Sequence, residues 1–247
     1  MSFLSYLING ISLGSIYAII ALGYTMVYGI ARMLNFAHGD IIMVGGFAIF
    51  TVVSTMGLPP LLGIFVAILV CTVLGVTIER VAYRPLRGAS SLAVLITAIG
   101  VSYLLQNVAL LIFGSNARQF TSVVTLPNLK LADGALTISS VTIVTIISCI
   151  AIMVALTSFI NKTKVGQAML AVSEDNGAAT LMGIDVNRTI AITFAIGSAL
   201  AAIAGALLCS TYPSLTPYTG SMPGIKAFVA AVFGGIGSIP GALIGGI

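Results

Sequence analysis

Four polar side chains lie close together between two long apolar runs, and they are the first candidates for chemistry. The segment ARMLNFAHGD places Arg32, Asn35, His38 and Asp40 within nine residues, and His38 is the only histidine of the chain. His38 and Asp40 supply two candidate metal ligands, fewer than a zinc site needs. No nucleophile or acid–base pair accompanies them. The sequence therefore predicts neither a catalytic centre nor a metal site here.

The same cluster favours a role in transport. Ionisable groups at membrane depth are costly and are often functional, and interrupted helices commonly line transporter cavities. We expect a helix break at which Asn35, His38 and Asp40 face a translocation path. The alternative is a short cytoplasmic loop whose polar groups face water.

A second polar stretch, residues 161–188, carries six of the sixteen charged residues of the chain. Ser173 can cap a helix, and the helix dipole would favour Glu174 and Asp175 in its first turn. Gly183 fits a left-handed helix end. The pattern predicts a short helix over 174–182, and its displayed side chains would be Ala178, Ala179, Leu181 and Met182. A solvated loop with one helical turn is the alternative.

A third pattern, GGIGSIPGALIGG at 234–246, is rich in glycine. Four glycines and Pro240 within 234–241 argue against an uninterrupted helix. We expect a break that exposes backbone groups, with Gly235, Gly237 and Ser238 as candidates to line the translocation path. Close helix packing alone would also account for small residues.

These segments must be positioned by membrane-spanning helices. The chain has 247 residues, of which 59% are hydrophobic and 6% charged, whereas soluble domains carry about 25% charged residues. Runs of about twenty apolar residues predict an all-α, polytopic transmembrane bundle with broken helices, since isolated strands leave backbone groups unsatisfied in lipid. Cys71, Cys149 and Cys209 fall inside apolar runs and are expected to be buried thiols. We count about seven spans, at 7–30, 41–57, 61–79, 92–113, 138–160, 189–211 and 225–247.

The distribution of Lys and Arg predicts the orientation. The loop after the third span and the stretch 161–188 hold six of the ten basic residues. They lie two spans apart, so they share one side, which the positive-inside rule identifies as the cytoplasm. The loop 114–137, with Arg118, Lys130 and Asp133, would face outward, and so would 212–224 and the N-terminus. The excess of Lys and Arg is attributed to this anchoring, and no nucleic-acid partner is expected.

Four blocks together carry a family resemblance. They are LNFAHGD (34–40), ERVAYRPLRGASSLAVLITAIG (79–100), SEDNGAATLMGIDV (173–186) and GGIGSIPGALIGG (234–246). In these blocks the chain resembles the integral-membrane permease of bacterial high-affinity branched-chain amino acid ABC importers, the LivH type. The resemblance implies one multi-pass domain over 1–247 in the bacterial inner membrane, with 161–188 as its cytoplasmic coupling loop.

The resemblance also implies partners and roles. Glu174, Asp175, Ala178, Ala179 and Gly183 would belong to a coupling helix that docks on one of two ABC ATPase subunits. A second, LivM-like permease and an extracytoplasmic binding protein would complete the importer. No cofactor or covalent chemistry is implied, and the chain has no GxxxxGK[ST] phosphate loop.

The same residues leave alternatives for substrate, chain length and transporter class. The family includes permeases for urea and short amides, so the resemblance does not fix the substrate. Family members usually continue for a few dozen residues beyond the GALIGG block, which predicts eight or more spans in a longer native chain. From another class, an ion-coupled secondary transporter stays open, although the candidate carboxylates Asp40 and Glu79 lie near span ends.

Overall fold

The fold is described by a computed structural model that covers residues 2–131 and 136–247. Asp133, which belongs to one predicted outer loop, lies outside these residues. In this described part of the chain, six helices are long and apolar enough to cross a membrane. They are α1 (Ser2–Ala31), α2 (His38–Phe50, continued by a π-helical turn at Thr51–Thr55), α3 (Pro60–Ile78, continued by Glu79–Tyr83 and Arg84–Leu86), α4 (Ser91–Phe113), α5 (Ser140–Lys162) and α8 (Val186–Thr211). These helices confirm the predicted all-α multi-pass bundle.

The remaining elements are short. Two helices, α6 (Lys164–Glu174) and α7 (Asn176–Leu181), lie between α5 and α8. The seventh predicted span is divided into α9 (Ser221–Phe233) and α10 (Ile239–Gly246). Gly235 and Gly237 lie in the connection with φ of +87° and +98°, a backbone conformation that glycine adopts readily. The predicted break is therefore confirmed.

Within residues 2–131 and 136–247, four short strands form two antiparallel pairs. The strands are β1 (Arg118–Gln119), β2 (Leu129–Leu131), β3 (Leu136–Ile138) and β4 (Ser214–Leu215). Strand β1 pairs with β4, and β2 pairs with β3. The β1–β4 pair brings the two loops predicted to face outward to one end of the molecule, which we call the strand face.

The core is built around α1 and α8, which pack against each other. Helix α8 also packs against α2 and α3. Small residues make these contacts close: a Cβ added to Gly205 would lie 2.6 Å from the carbonyl oxygen of Ile42. In a bilayer, tight packing of small residues replaces much of the hydrophobic driving force of a soluble core. Helices α1, α2, α3 and α8 therefore form one packed unit.

Helix α2 begins inside this bundle. Its first residue, His38, lies against Gly23 of α1, eight residues before α1 ends. At 1.5 Å per residue, this level is about 12 Å below the end of α1. The non-helical residues 32–37 return the chain into the bundle, and Met33, Asn35 and Ala37 are buried. We call residues 33–40 the re-entrant segment.

Helix α9 also begins inside the bundle, where it crosses α2. A Cβ added to Gly39 would lie 2.6 Å from the carbonyl oxygen of Gly220, and one added to Gly224 would lie 2.9 Å from Gly39 Cα. A Cβ on Gly220 itself would overlap the Gly39 carbonyl group. The backbones at the two helix starts are therefore in direct contact, with no room for side chains between them.

The basic loops meet at the end opposite the strand face. Arg87 donates a hydrogen bond to Asn187, and Arg32 donates to the carbonyl oxygen of Ser173 at 2.7 Å. These contacts confirm that the loop after α3 and the stretch 161–188 share one side. We call this end the basic face.

Candidate functional site: the coupling segment and the re-entrant segment

The polar stretch of the basic face folds into two helices separated by one residue. Helix α6 is capped by Thr163, whose hydroxyl accepts a hydrogen bond from the backbone N–H of Gly166 at 3.0 Å. Met169 and Val172 are buried on one side of α6, which packs against α1, α5 and α8. This packing fixes the position from which α7 projects. We call residues 174–183 the coupling segment.

The predicted N-terminus of the short helix was misplaced by two residues. Asp175, not Ser173, is the N-cap of α7: its Oδ1 accepts from the backbone N–H of Gly177 at 2.7 Å and of Ala178 at 3.0 Å. Ser173 instead donates its hydroxyl to the Leu170 carbonyl within α6. Glu174 ends α6, because the extended backbone of Asp175 (φ −151°, ψ 114°) separates the two helices.

The predicted C-terminus of the helix is confirmed. Gly183 has φ of +83°. Its N–H donates to the Thr180 carbonyl, and the N–H of Ile184 donates to the Ala179 carbonyl, both at 3.0 Å. This pair of bonds is the Schellman motif, in which a left-handed residue satisfies the last carbonyls of a helix. Gly183 therefore fixes the direction in which the chain leaves α7.

The surface of the coupling segment differs in one residue from the prediction. Ala178 is exposed, and the exposed fractions of Leu181 and Met182 are 90% and 82%. Ala179 is 3% exposed and belongs to the buried core, so its predicted display was wrong. The packing of α7 against α6 and α8 turns this side of the helix inward. Two large apolar side chains are left exposed beyond the ends of the spanning helices.

The Asp175 cap can be tested directly. Hydrogen bonds from Ala178 and Gly177 lower the pKa of Asp175 below its ordinary value, and nearby Arg32 acts in the same direction. We expect Asp175→Ala to speed hydrogen exchange in α7 about fivefold, since a missing cap frees backbone donors. Mass spectrometry of the purified protein measures this exchange. Asp175→Ser, a cap of similar strength, should restore slow exchange, and equal exchange in wild type and Asp175→Ala would contradict the assignment.

The sign of the pH dependence follows from the lowered pKa of Asp175. The ionised carboxylate is the better cap, so its contribution is complete above the ordinary carboxyl pKa of about 3.9. It is lost as the pH falls through the lower folded-state pKa. In Asp175→Asn, which caps without charge, the exchange of α7 should lose this acid dependence.

The re-entrant segment contains three predicted path residues in different environments. Asn35 is buried, and its Oδ1 accepts a hydrogen bond from the hydroxyl of Tyr83 at 2.9 Å. His38 packs edge-on against Tyr24, with 4.7 Å between ring centroids, and fits a notch left by Gly23. Its Nε2 has no hydrogen-bond partner among the described residues.

Asp40 belongs to a polar cluster that sequence reasoning missed. Its Oδ1 accepts from Nε2 of Gln106 at 2.9 Å, and the same amide contacts the hydroxyl oxygens of Ser102 and Ser221 at 3.2 and 3.3 Å. The cluster joins α2, α4 and α9. The sequence did contain a signal for this cluster: Gln106 stands in the otherwise apolar run of α4, one helical turn after Ser102.

Three cavities near the basic face contain some of the predicted path residues. Gly237 and Ser238 line a cavity of about 730 Å³ that also touches Glu174. A second cavity, of about 560 Å³, touches Asn176, and Asn35 lines a small third cavity beside Tyr24. The structure thus brings Gly237 and Ser238 to the surface of a large cavity, whereas the void beside Asn35 has a volume of about 10 Å³, room for one water molecule at most. His38, Asp40 and Gly235 line none of these three cavities.

The other carboxylate considered for ion coupling, Glu79, is ion-paired. It is 1% exposed and accepts a hydrogen bond from Arg87, which also binds Asn187. Within the described residues, no group of three His, Cys, Asp or Glu could hold a metal ion. Cys71, Cys149 and Cys209 are buried free thiols, as predicted.

The pair formed by Glu79 and Arg87 is expected to stabilise the fold. Glu79→Gln should lower the thermal unfolding midpoint by roughly 10 °C, because breaking a buried pair leaves an uncompensated charge. Differential scanning fluorimetry in detergent measures the midpoint. Arg84→Gln, which removes an exposed charge from the same turn, is the control. An unchanged midpoint in Glu79→Gln would contradict a structural role.

The architecture defines a class of protein. Six long apolar helices, two further helices separated by a glycine break and a capped segment beyond the membrane spans together describe a multi-pass membrane protein built like a transporter. The family model described as "branched-chain amino acid transport system / permease component" matches residues 6–247. The chain therefore belongs to this permease family, as its resemblance indicated.

Individual relatives match nearly the whole chain. It is 46% identical to the high-affinity branched-chain amino acid transport system permease protein LivH of Salmonella typhimurium and 44% identical to LivH of Escherichia coli. It is 45% identical to the corresponding permease BraD of Pseudomonas aeruginosa. Each match covers 99% of this chain and 83% of the relative. No solved structure matches the chain significantly.

Proposed function

We propose that the chain is the permease subunit of an ATP-binding-cassette importer for branched-chain amino acids in the bacterial inner membrane. The observation that carries this proposal is the end-to-end similarity to LivH and BraD, at 44–46% identity. The permease would provide the path for leucine, isoleucine and valine and would itself have no ATPase site. Two cytoplasmic ATPase subunits, a LivM-like permease and an extracytoplasmic binding protein would complete the importer.

The geometry of the basic face supports the placement of the ATPase contact. Seven of the ten basic residues, Arg32, Arg80, Arg84, Arg87, Lys162, Lys164 and Arg188, lie at or near this face, which the positive-inside rule assigns to the cytoplasm. Leu181 and Met182 are exposed there. An aqueous face does not favour two large apolar side chains unless a partner covers them.

Within the coupling segment, the residues divide into two roles. Glu174, Ala178, Leu181 and Met182 would contact the ATPase, since their side chains are exposed. Asp175, Ala179 and Gly183 would hold the segment in shape by capping, packing and turning the chain. Closure of the ATPase pair around ATP would move the segment, and the helices would reopen toward the other side of the membrane.

For the translocation path we propose Gly237 and Ser238, which line the cavity of about 730 Å³ near the basic face, and Asn35, which is buried beside a void of about 10 Å³. His38, Asp40 and Gly235 would shape the path indirectly. His38 fills the notch beside Gly23, and Asp40 ties α2 to α4 through Gln106. Gly235 permits the turn between α9 and α10.

Uptake by a reconstituted complex tests the proposal. The permease would be placed in liposomes with its ATPases, second permease and binding protein, and radiolabelled leucine would be compared with urea. We expect leucine uptake that requires both ATP and the binding protein. ATP-dependent uptake of urea alone would contradict the substrate. Uptake by the permease alone, driven by an ion gradient, would contradict the importer.

A further inference from the structure

The residue between α1 and the re-entrant segment has an unusual backbone. Arg32 has φ of +53° and is the one non-glycine residue with positive φ among those the structure describes. This conformation is uncommon for residues that carry a Cβ. It persists only where surrounding contacts determine it. The interactions that hold this conformation are therefore to be found among the contacts of Arg32.

The Arg32 side chain binds the end of α6, just before and at the start of the coupling segment, across 141 positions of sequence. Its Nη2 donates to the carbonyl oxygen of Ser173 at 2.7 Å and lies 3.4 Å from that of Glu174. These are carbonyls of the last turn of α6, where the helix dipole favours a cation. Its charge also acts on the carboxylate of Asp175, the cap of α7.

The Arg32 backbone holds the re-entrant segment on its other side. Its N–H donates to the Tyr28 carbonyl at 2.8 Å, which ends α1. The next residues descend into the bundle, where Met33 and Asn35 are buried. A movement of α7 that carries the end of α6 with it would pull on Arg32, and thereby on a segment that Tyr83 and Gly220 hold in the core.

The surroundings of Arg32 leave room for such a movement. Arg32 lines both the cavity of about 730 Å³ and the cavity of about 560 Å³. The first also touches Ser173 and Glu174, and the second touches Asn176. The coupling segment and Arg32 are thus bordered by space on two sides, and Met33 and Leu34 at the start of the re-entrant segment line the second of these cavities.

We propose that Arg32 is a positioning residue that transmits movement of the coupling segment to the re-entrant segment, and so links ATP hydrolysis to opening of the path. This inference rests on the proposed importer function. A bond to backbone carbonyls suits transmission, because it holds the chain itself and does not depend on the rotamer of a partner side chain. Guanidinium can bind two neighbouring carbonyls at once.

Variants that keep the backbone but remove the side chain separate transmission from folding. Asparagine and glycine both tolerate positive φ, so Arg32→Asn and Arg32→Gly preserve the turn. Arg32→Lys keeps a single charged donor. Arg80→Asn is the matched control: it removes an exposed arginine near the same face that has no hydrogen bond to a described residue.

The readout is the number of leucine molecules taken up per ATP hydrolysed by the reconstituted complex. We expect this ratio to fall roughly threefold in Arg32→Asn and Arg32→Gly, because Arg32 is exposed and water weakens the contribution of an exposed charged contact. The ratio for Arg32→Lys should lie between those of wild type and Arg32→Asn, and the ratio for Arg80→Asn should equal that of wild type. A wild-type ratio in Arg32→Asn, or failure of that variant to assemble with the ATPases, would overturn the proposal.

Hydrogen exchange provides a second test that does not depend on the substrate. In the wild-type complex, ATP binding should change exchange in both the coupling segment and residues 33–37. In Arg32→Asn, the change should persist in the coupling segment and disappear from 33–37. Persistence in both regions would overturn the inference. Absence of ATP-driven leucine uptake by the wild-type complex would instead contradict the proposed function. The exchange measurement would even then show whether Arg32 links the coupling segment to residues 33–37.

Discussion

Alanine in place of Gly220 should abolish most accumulation of folded permease. The added Cβ would overlap the carbonyl group of Gly39, and both partners are backbone at the starts of two helices. Overpacking a core typically costs about 1–3 kcal/mol, and a clash that must separate two backbones belongs at or above that range, so we expect a roughly tenfold or larger loss of folded protein. The measurement is the monodisperse yield after size-exclusion chromatography in detergent, together with the thermal midpoint.

Gly100→Ala is the matched control for this variant. Gly220 immediately precedes α9, whereas Gly100 lies within α4, where no atom outside the helix backbone lies within 4 Å of an added Cβ. Because alanine is the better helix former, this variant should accumulate at least as well as wild type. A normal yield of Gly220→Ala would show that α2 and α9 are not in backbone contact.

A charge on the exposed side of the coupling segment should separate the permease from its ATPases. Leu181 is 90% exposed beside Met182, so glutamate at this position will leave the permease fold intact. If Leu181 enters an apolar groove of the ATPase, an unpaired carboxylate there should weaken assembly roughly a hundredfold, since burying an unpaired charge costs several kcal/mol. Copurification of tagged ATPase with the permease measures assembly.

Two further variants sharpen this test. Leu126→Glu makes the same change at an apolar residue that is 61% exposed in the loop before α5, toward the strand face, and should leave ATPase assembly unchanged.

Gly183→Val places a β-branched residue at φ of +83°, which is strained, and should uncouple ATP hydrolysis from uptake. Normal ATPase copurification with Leu181→Glu would contradict the docking surface.

Much of the fold could be predicted because lipid imposes simple rules. Apolar runs located the six long helices, and glycine and proline located the break between α9 and α10. Gly183 was predictable because few residues other than glycine end a helix in the left-handed conformation. These features depend on short stretches of sequence and on the bilayer, so long-range packing did not alter them.

The details of the coupling segment depended on tertiary contacts. Asp175 was predicted in the first turn, whereas it is the N-cap of α7, because α6 continues through Ser173 to Glu174. The burial of Ala179 could not be predicted, because a six-residue helix is too short for a periodic pattern to define its inner side. The pairing of Arg32 with Ser173 joins residues far apart in sequence, and nothing in the polarity of the region indicated it.

The depth at which α2 begins also depended on packing. Residues 33–37 could equally have formed a short surface loop, as the alternative interpretation held. The notch at Gly23 and the bond from Tyr83 to Asn35 bring them inside.

The buried thiols make the native chain suitable for site-directed labelling. Cys71, Cys149 and Cys209 are at most 1% exposed, and a maleimide reacts only with a thiolate that it can reach. A single cysteine introduced at Leu181 or Leu126 would therefore be labelled selectively, and the native cysteines would not need to be removed. A reagent that cannot cross the membrane labels only the cysteine on the outer side of sealed vesicles. Comparing the labelling of positions 181 and 126 would therefore show which end of the molecule faces the cell interior.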